Sequence, residues 1–62
     1  MNKFNVGDII RNNMGANNFT YLVTDILPSV VYRYRLLCLD TNQRTSLPED
    51  CEYNYDIVER AT

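Results

Sequence analysis

Apolar and polar side chains alternate along most of this chain, and the alternation predicts short β-strands. No segment holds the 3.6-residue period of an amphipathic helix for long enough to form one. Strands are predicted where aromatic and β-branched residues lie between turn-forming residues; these segments are 19–27, 30–39, 44–47 and 55–60. Pro28-Ser29 and the polar residues 40–43 separate neighbouring strands, and the acidic connector 48–54 has room for one helical turn. The pattern therefore predicts an all-β domain.

The N-terminal residues 4–11 form an apolar segment that is interrupted at Gly7 and Asp8. Glycine reaches backbone conformations with positive φ without strain, and an aspartate side chain can accept hydrogen bonds from nearby backbone amides. The two residues therefore predict a sharp turn between two short apolar stretches. Residues 12–18, which are mostly asparagine around Gly15, predict an exposed loop.

The registers of two hairpins decide which side chains are buried. Turns at the two polar connections place Val23 opposite Tyr34 and Leu36 opposite Leu47, so both hairpins bury the same face of the central strand. A slip of one residue would bury the arginines of that strand, at a cost that a small domain could not meet. The predicted core is the set of side chains turned inward by this register: Phe4, Val6, Ile10, Phe19, Tyr21, Val23, Tyr34, Leu36, Cys38, Leu47, Tyr55 and Ile57.

The length of 62 residues predicts a single domain, residues 1–62, with a modest stability of about 3–5 kcal/mol. The chain has no apolar run of about 18 residues and no signal-peptide pattern, which predicts a cytoplasmic protein with no membrane association. Thiols stay reduced in the cytoplasm, so Cys38 and Cys51 are expected to be unpaired.

The absence of histidine excludes more chemistry than any other feature of the composition. Nucleophiles activated by histidine and zinc sites with histidine ligands are ruled out, and two cysteines cannot form an all-thiolate zinc site. The two glycines do not make a phosphate-binding loop. These observations predict a protein that is not an enzyme and that holds no metal or cofactor.

The Val6-Gly7-Asp8 turn, two long strands with tyrosines, a polar turn and the Asp56-Ile57-Val58 ending resemble the SH3-like small β-barrels, a group that includes KOW and Tudor domains. The resemblance covers nearly the whole chain and implies a five-stranded antiparallel barrel with at most one short helical turn. The nucleic-acid-binding members tend to be basic and to carry a glycine-containing motif that is absent here. Short, asparagine-rich chains of this kind are also similar to phage or mobile-element proteins.

The outer face of the central strand is the predicted binding surface, because the register that buries the aromatic residues turns a mixed stripe of arginine and leucine outward. Exposed apolar area tends to mark association sites, and arginine is enriched at interfaces. The candidate binding residues are Leu22, Tyr32, Arg33, Arg35, Leu37, Leu39 and Arg44. Strands in small barrels bend strongly, so the alternative is that Leu37 and Leu39 turn into the core.

Charge distribution separates the possible partners. Residues 1–47 carry five cations and three anions, and residues 48–62 carry one cation and five anions, so the halves are +2 and −4 and sum to −2. An acidic pI near 4.7 disfavours general nucleic-acid binding. The acidic residues Glu49, Asp50 and Glu52 form an alternative site, a rim that could contact a basic partner.

These features predict a non-catalytic binding module, specifically a phage-type protein-interaction or inhibitor domain that occupies a host protein. The alternative is a small-ligand or nucleic-acid binder that uses the arginine-rich strand, with Tyr32 and Tyr53 as stacking residues. Self-association into a homo-oligomer would cover the exposed leucines and is compatible with both functions.

Overall fold

The described part of the backbone forms five short strands and one 3-10 helix. The structure is a computed structural model that describes residues 2–15 and 17–61. In chain order the elements are β1 (Ile9–Asn12), β2 (Thr20–Ile26), β3 (Tyr34–Cys38), β4 (Arg44–Leu47), the 3-10 helix (Glu49–Asn54) and β5 (Tyr55–Glu59). The all-β prediction is confirmed, and the acidic connector does form a short helix.

The five strands make one antiparallel sheet in the order β4-β3-β2-β1-β5. Consecutive strands β1 to β4 pair as a meander, and β5 returns to pair with β1. Among the described residues β4 and β5 each pair on one side only, so the sheet has two edges and does not close. The predicted strand number and direction are confirmed, whereas the closure that a complete barrel requires is not observed.

Both hairpins are offset by two residues from the predicted register. Val23 lies opposite Leu36 and not Tyr34, and Leu47 lies opposite Tyr34 and not Leu36. The offset arises because each connection is centred one residue away from its predicted centre, the first later in the chain and the second earlier. The first spans residues 27–33 and is closed by a backbone hydrogen bond of 2.7 Å between its end residues. Because side chains alternate with a period of two, a shift of two residues keeps the same face inside.

A bulge in β2 decides which residue of its second half is buried. The register shifts between Val23 and Asp25, which leaves Thr24 as the extra residue. Asp25 therefore faces solvent and Ile26 packs against the core. Strict alternation from Val23 would have turned Asp25 inward. The Thr24 hydroxyl lies 3.2 Å from the backbone oxygen of Arg35, so it remains hydrogen-bonded at the bulge.

The core lies on the inner face of this sheet, and its fully buried apolar side chains were all predicted from the sequence. They are Phe4, Ile10, Val23, Tyr34, Leu36, Cys38 and Leu47. Three further predicted residues, Tyr21, Tyr55 and Ile57, are half-buried against this cluster, together with Ile26 and Cys51, which the prediction omitted. Both cysteines are free, as expected.

Two predicted core residues are wrong. Val6 is 54% exposed because it belongs to the turn before β1 and not to a strand. Phe19 is 37% exposed because β2 begins one residue later, so Phe19 still belongs to the preceding loop. In both cases the alternation was extended past the end of a strand, where no sheet fixes the direction of a side chain.

The turn at Gly7 and Asp8 joins the segment before β1 to the segment after β5. Gly7 has φ +96°, as the sequence predicted, and its amide donates to the backbone oxygen of Val23 at 2.8 Å. The Asp8 side chain is buried and accepts hydrogen bonds from the Asn5 amide (2.9 Å) and the Ala61 amide (2.8 Å). A buried carboxylate is stable only when it is hydrogen-bonded in this way. Asp8 therefore ties the N-terminal turn to the segment that follows β5.

We predict that Gly7→Ala destabilises the fold more than Gly15→Ala. Both glycines have positive φ, but a Cβ at Gly7 would lie 2.8 Å from the Cβ of Ala61, whereas a Cβ at Gly15 has no neighbour within 4 Å. Gly15→Ala should cost about 1 kcal/mol from the backbone alone. Gly7→Ala should cost about 2–4 kcal/mol, because crowding adds to the backbone strain. Urea denaturation of both variants measures the difference, and equal costs would contradict the close packing at Gly7.

Candidate functional site

Two rows of side chains cross the face of β2, β3 and β4 that points away from the core. Each row takes one residue from each strand, and the rows are Leu22–Leu37–Arg44 and Asp25–Arg35–Ser46. The two leucines are half-buried against each other, and both arginines are exposed. We call Leu22, Arg35, Leu37 and Arg44 the arginine face. The structure thus brings together four of the seven residues that the sequence predicted for the binding surface.

Arg35 and Arg44 are available for a partner. Among the residues that the structure describes, neither guanidinium forms an ion pair with a carboxylate. A cavity of about 250 Å³ lies between them and is lined further by Thr24 and Ser46. Two unpaired cations beside half-buried leucines can bind a carboxylate while also covering apolar area.

Arg33 does not belong to the arginine face. It precedes β3, and its Nε donates to the Glu49 carboxylate at 3.0 Å while its Nη1 donates to the backbone oxygen of Leu27 at 3.2 Å. These bonds fasten the connection between β2 and β3 to the 3-10 helix. The sequence predicted that Arg33 alternates with Arg35 on one strand, but the strand begins only at Tyr34.

The remaining two predicted residues are exposed at opposite ends of β3. Tyr32 is 58% exposed in the connection before the strand, and Leu39 is 47% exposed in the turn after it. Leu39 therefore does not turn into the core, which was the alternative for this residue. Leu37 is half-buried on the outer face, between Leu22 and Arg44.

Two of the three carboxylates of the acidic rim are engaged in contacts within the fold. Glu49 binds Arg33, and Glu52 accepts a hydrogen bond from the Tyr34 hydroxyl. Asp50 is exposed and belongs to no ion pair among the described residues. The rim therefore offers fewer free charges than the sequence indicated.

A cavity of about 440 Å³ adjoins the acidic rim and contains apolar residues that the sequence analysis did not select. Val30 and Val31 line it with Pro48, next to Glu49 and Asp50. The two valines are exposed because they lie in the anchored connection before β3, not in the long strand that was predicted. Pro28-Ser29 marked the start of this connection, but no residue pattern indicated that it continues as far as Arg33.

Another cavity, of about 310 Å³, lies on the inner side of β4. The residues that line it include Phe19, Tyr21, Cys38, Arg44 and Thr45. Arg44 therefore borders the cavities on both sides of β4. The sequence analysis assigned Phe19 and Tyr21 to a closed core, so it could not detect a cavity that depends on an open end of the sheet.

The two thiols differ in acidity. Burial tends to raise the pKa of Cys38, but hydrogen bonds from the Thr41 side chain and from the backbone at Thr41 and Asp40 outweigh burial and lower it. For Cys51, burial and the neighbouring Asp50 carboxylate both raise the pKa of the thiol. Cys38 is among the residues that line the inner cavity, yet only 4% of the residue is exposed.

Tyr34 connects the site to the core. Its side chain is fully buried, packs edge-on against Phe4 at 5.3 Å between ring centroids, and accepts a hydrogen bond of 3.1 Å from the Lys3 amide. Burial, together with the bond to Glu52, raises the pKa of Tyr34 to about 12. Because Tyr34 precedes Arg35 directly, its fixed position also fixes the start of the strand that carries the arginine face.

Comparison with protein-family models, with curated proteins and with solved structures finds no match for this chain. Within residues 2–15 and 17–61, no three potential metal-ligating side chains come together. The helix in these ranges, the 3-10 helix, does not have the length and apolar character needed to cross a membrane.

We predict that the Tyr34 hydroxyl contributes stability that is lost at alkaline pH. The folded pKa of about 12 exceeds the ordinary value of 10.0, so the contribution is complete below pH 10 and disappears as the pH rises through about 12. Urea denaturation at a series of pH values should show the free energy of unfolding falling by about 2–3 kcal/mol over this range. Tyr34→Phe should be less stable at neutral pH by about 1–3 kcal/mol, since Glu52 loses its partner, and should lack this alkaline step.

The matched control is Tyr53→Phe, because Tyr53 is exposed. This variant should keep both the neutral stability and the alkaline loss of stability of the original chain. An alkaline step of unchanged size in Tyr34→Phe would contradict the assignment of that step to Tyr34.

We also predict that the two neighbouring arginines differ in their contribution to stability. Arg33→Ala should cost about 1–2 kcal/mol, since it removes the bonds to Glu49 and Leu27 from a mostly buried side chain. Arg35→Ala should change the free energy of unfolding by no more than about 0.5 kcal/mol, because the residue is exposed and unpaired. Urea denaturation tests both, and equal effects would show that Arg33 is not a structural residue.

Proposed function

We propose that this chain is a non-catalytic protein-interaction module of the phage inhibitor type, which binds an acidic patch on a host protein through the arginine face. The single observation that carries the proposal is the pair of unpaired cations, Arg35 and Arg44, beside Leu22 and Leu37. Arginine forks pair with carboxylates in bidentate geometry, and adjacent apolar area adds affinity when it is covered. The host protein would be met in the cytoplasm.

The proposal includes an SH3-like barrel as the architecture. Its support is the strand order β4-β3-β2-β1-β5, the bend introduced by the bulge in β2, and the short helix between β4 and β5. In such a fold the connections carry little regular structure, and the outer strand faces remain available for partners. The arginine face is a surface of this kind.

A protein partner is favoured over a nucleic acid for two reasons. The net charge is −2, so a polyanion is repelled by most of the surface. In addition, Arg33 is paired with Glu49 and does not lie on this face. The face therefore carries two cations, whereas the sequence predicted three. A small acidic patch needs no more than this, whereas a nucleic-acid backbone gains affinity from a longer row of cations. Self-association over the leucines of the arginine face is the remaining possibility within the same class of function.

The experiment is capture of a partner from a bacterial lysate, with charge reversal as the comparison. Arg35→Glu/Arg44→Glu should lose the partner, because the change removes two arginine contacts and adds repulsion from an acidic site. Its matched control is Arg11→Glu/Arg60→Glu, which makes the same change in net charge at two other exposed arginines. The control should recover the partner in the same amount as the original chain.

The bound protein is quantified by mass spectrometry, and circular dichroism confirms that both variants are folded. Equal recovery by the two double variants would disprove the proposal. A loss confined to Asp50→Lys would assign binding to the acidic rim instead.

A further inference from the structure

The edge strand β4 has backbone groups without partners. The Cys38 amide donates a hydrogen bond to the backbone oxygen of Gln43. In an antiparallel pair of strands every second residue pair is hydrogen-bonded, so Leu36 with Thr45 and Tyr34 with Leu47 are the hydrogen-bonded pairs between β3 and β4. The alternate residues Arg44 and Ser46 direct their amide and carbonyl groups away from β3. No described residue forms a backbone hydrogen bond with them on that side.

The other edge strand, β5, is protected by comparison. Lys3 Nζ donates to the backbone oxygen of Tyr55 at 2.6 Å, which occupies a carbonyl at this end of β5. The strand also carries Asp56 and Glu59, and its pairing with β1 contains a register shift at Ile9/Ile10. Covering groups, charges and bulges are the usual means by which edge strands avoid pairing. Among the described residues no side chain occupies the outward backbone groups of β4, its pairing with β3 contains no register shift, and its one charge is Arg44.

Each face of β4 adjoins a cavity. The outer cavity of about 250 Å³ is bordered by Arg35, Arg44 and Ser46. The inner cavity of about 310 Å³ is lined by Phe19 and Tyr21. A strand added beside β4 would direct successive side chains to these two faces in alternation.

We infer that the edge of β4 binds an extended segment of the partner protein by β-strand addition, and that this segment alternates acidic with apolar side chains. The inference rests on the proposed function and specifies its binding mode. Main-chain hydrogen bonds to Arg44 and Ser46 supply affinity, and the two cavities select the side chains. Acidic residues meet Arg44 on the outer face, with Arg35 one strand further in, whereas apolar residues face the inner cavity beside Thr45.

The probe is a short synthetic peptide of alternating glutamate and valine with blocked ends, and the control peptide replaces glutamate with lysine. Amide hydrogen exchange of the full chain is followed by nuclear magnetic resonance. With the glutamate peptide at about ten times its Kd, exchange at Arg44 and Ser46 should slow about tenfold, since bound strands protect those amides. The lysine peptide should leave both amides unprotected.

A backbone variant separates strand addition from charge attraction. Ser46→Pro removes one outward amide, which an edge strand tolerates, and should weaken binding of the glutamate peptide at least about tenfold. Ser46→Ala keeps the amide and should bind normally. If Ser46→Pro fails to fold, a chain with an N-methyl group on the Ser46 nitrogen replaces it.

The possible failures are distinguishable. Normal binding by the Ser46 backbone variant together with lost binding by Arg35→Glu/Arg44→Glu would overturn strand addition but leave the arginine face as the site. Normal binding by Arg35→Glu/Arg44→Glu would overturn the proposed function itself. A dimer in sedimentation, with Arg44 and Ser46 protected before any peptide is added, would overturn the inference in favour of a second copy of the chain.

Discussion

The buried hydroxyl of Tyr34 is the constraint on which the rest of the structure depends. A fully buried tyrosine needs a hydrogen-bond partner, and Tyr34 satisfies this need by accepting from the Lys3 amide and donating to Glu52. One residue of β3 therefore joins the N-terminal segment, the central strand and the 3-10 helix. A domain of 62 residues has little apolar area to bury, so a polar contact that links three distant segments matters more here than in a larger protein.

The polar contacts that stabilise the fold also determine which charged side chains remain free for binding. Glu52 belongs to the Tyr34 contact, and Arg33 and Glu49 hold the connection before β3 against the helix. Charges engaged in this way stabilise the fold and are not free for a partner. The cations that remain beside apolar side chains, Arg35 and Arg44, lie on regular strands with fixed spacing. A binding surface on paired strands is preorganised, because little conformational entropy is lost when a partner binds.

Predictions about the fold succeeded where a side chain's environment follows from local pattern. The alternation in β3 identified Tyr34, Leu36 and Cys38 as buried, and the Gly7-Asp8 pair identified a turn with positive φ. The registers were displaced because alternation does not fix where a connection is centred, and each centre lies one residue from its predicted position. The candidate site was predicted in part for the same reason. Arg35 and Leu37 follow the alternation of one strand, whereas the role of Arg33 depends on Glu49, sixteen residues away.

The sequence by itself determined the fold class, the approximate positions of the strands and the identity of the buried face, since each follows from residue types and a period of two. The tertiary structure alone decided that Ile26 replaces Asp25 at the core, that Val30 and Val31 are exposed, and that β4 has an open edge beside two cavities. These features arise where strands end, bulge or lack a neighbour. Local periodicity carries no information about such places, because they are set by which segments meet in space.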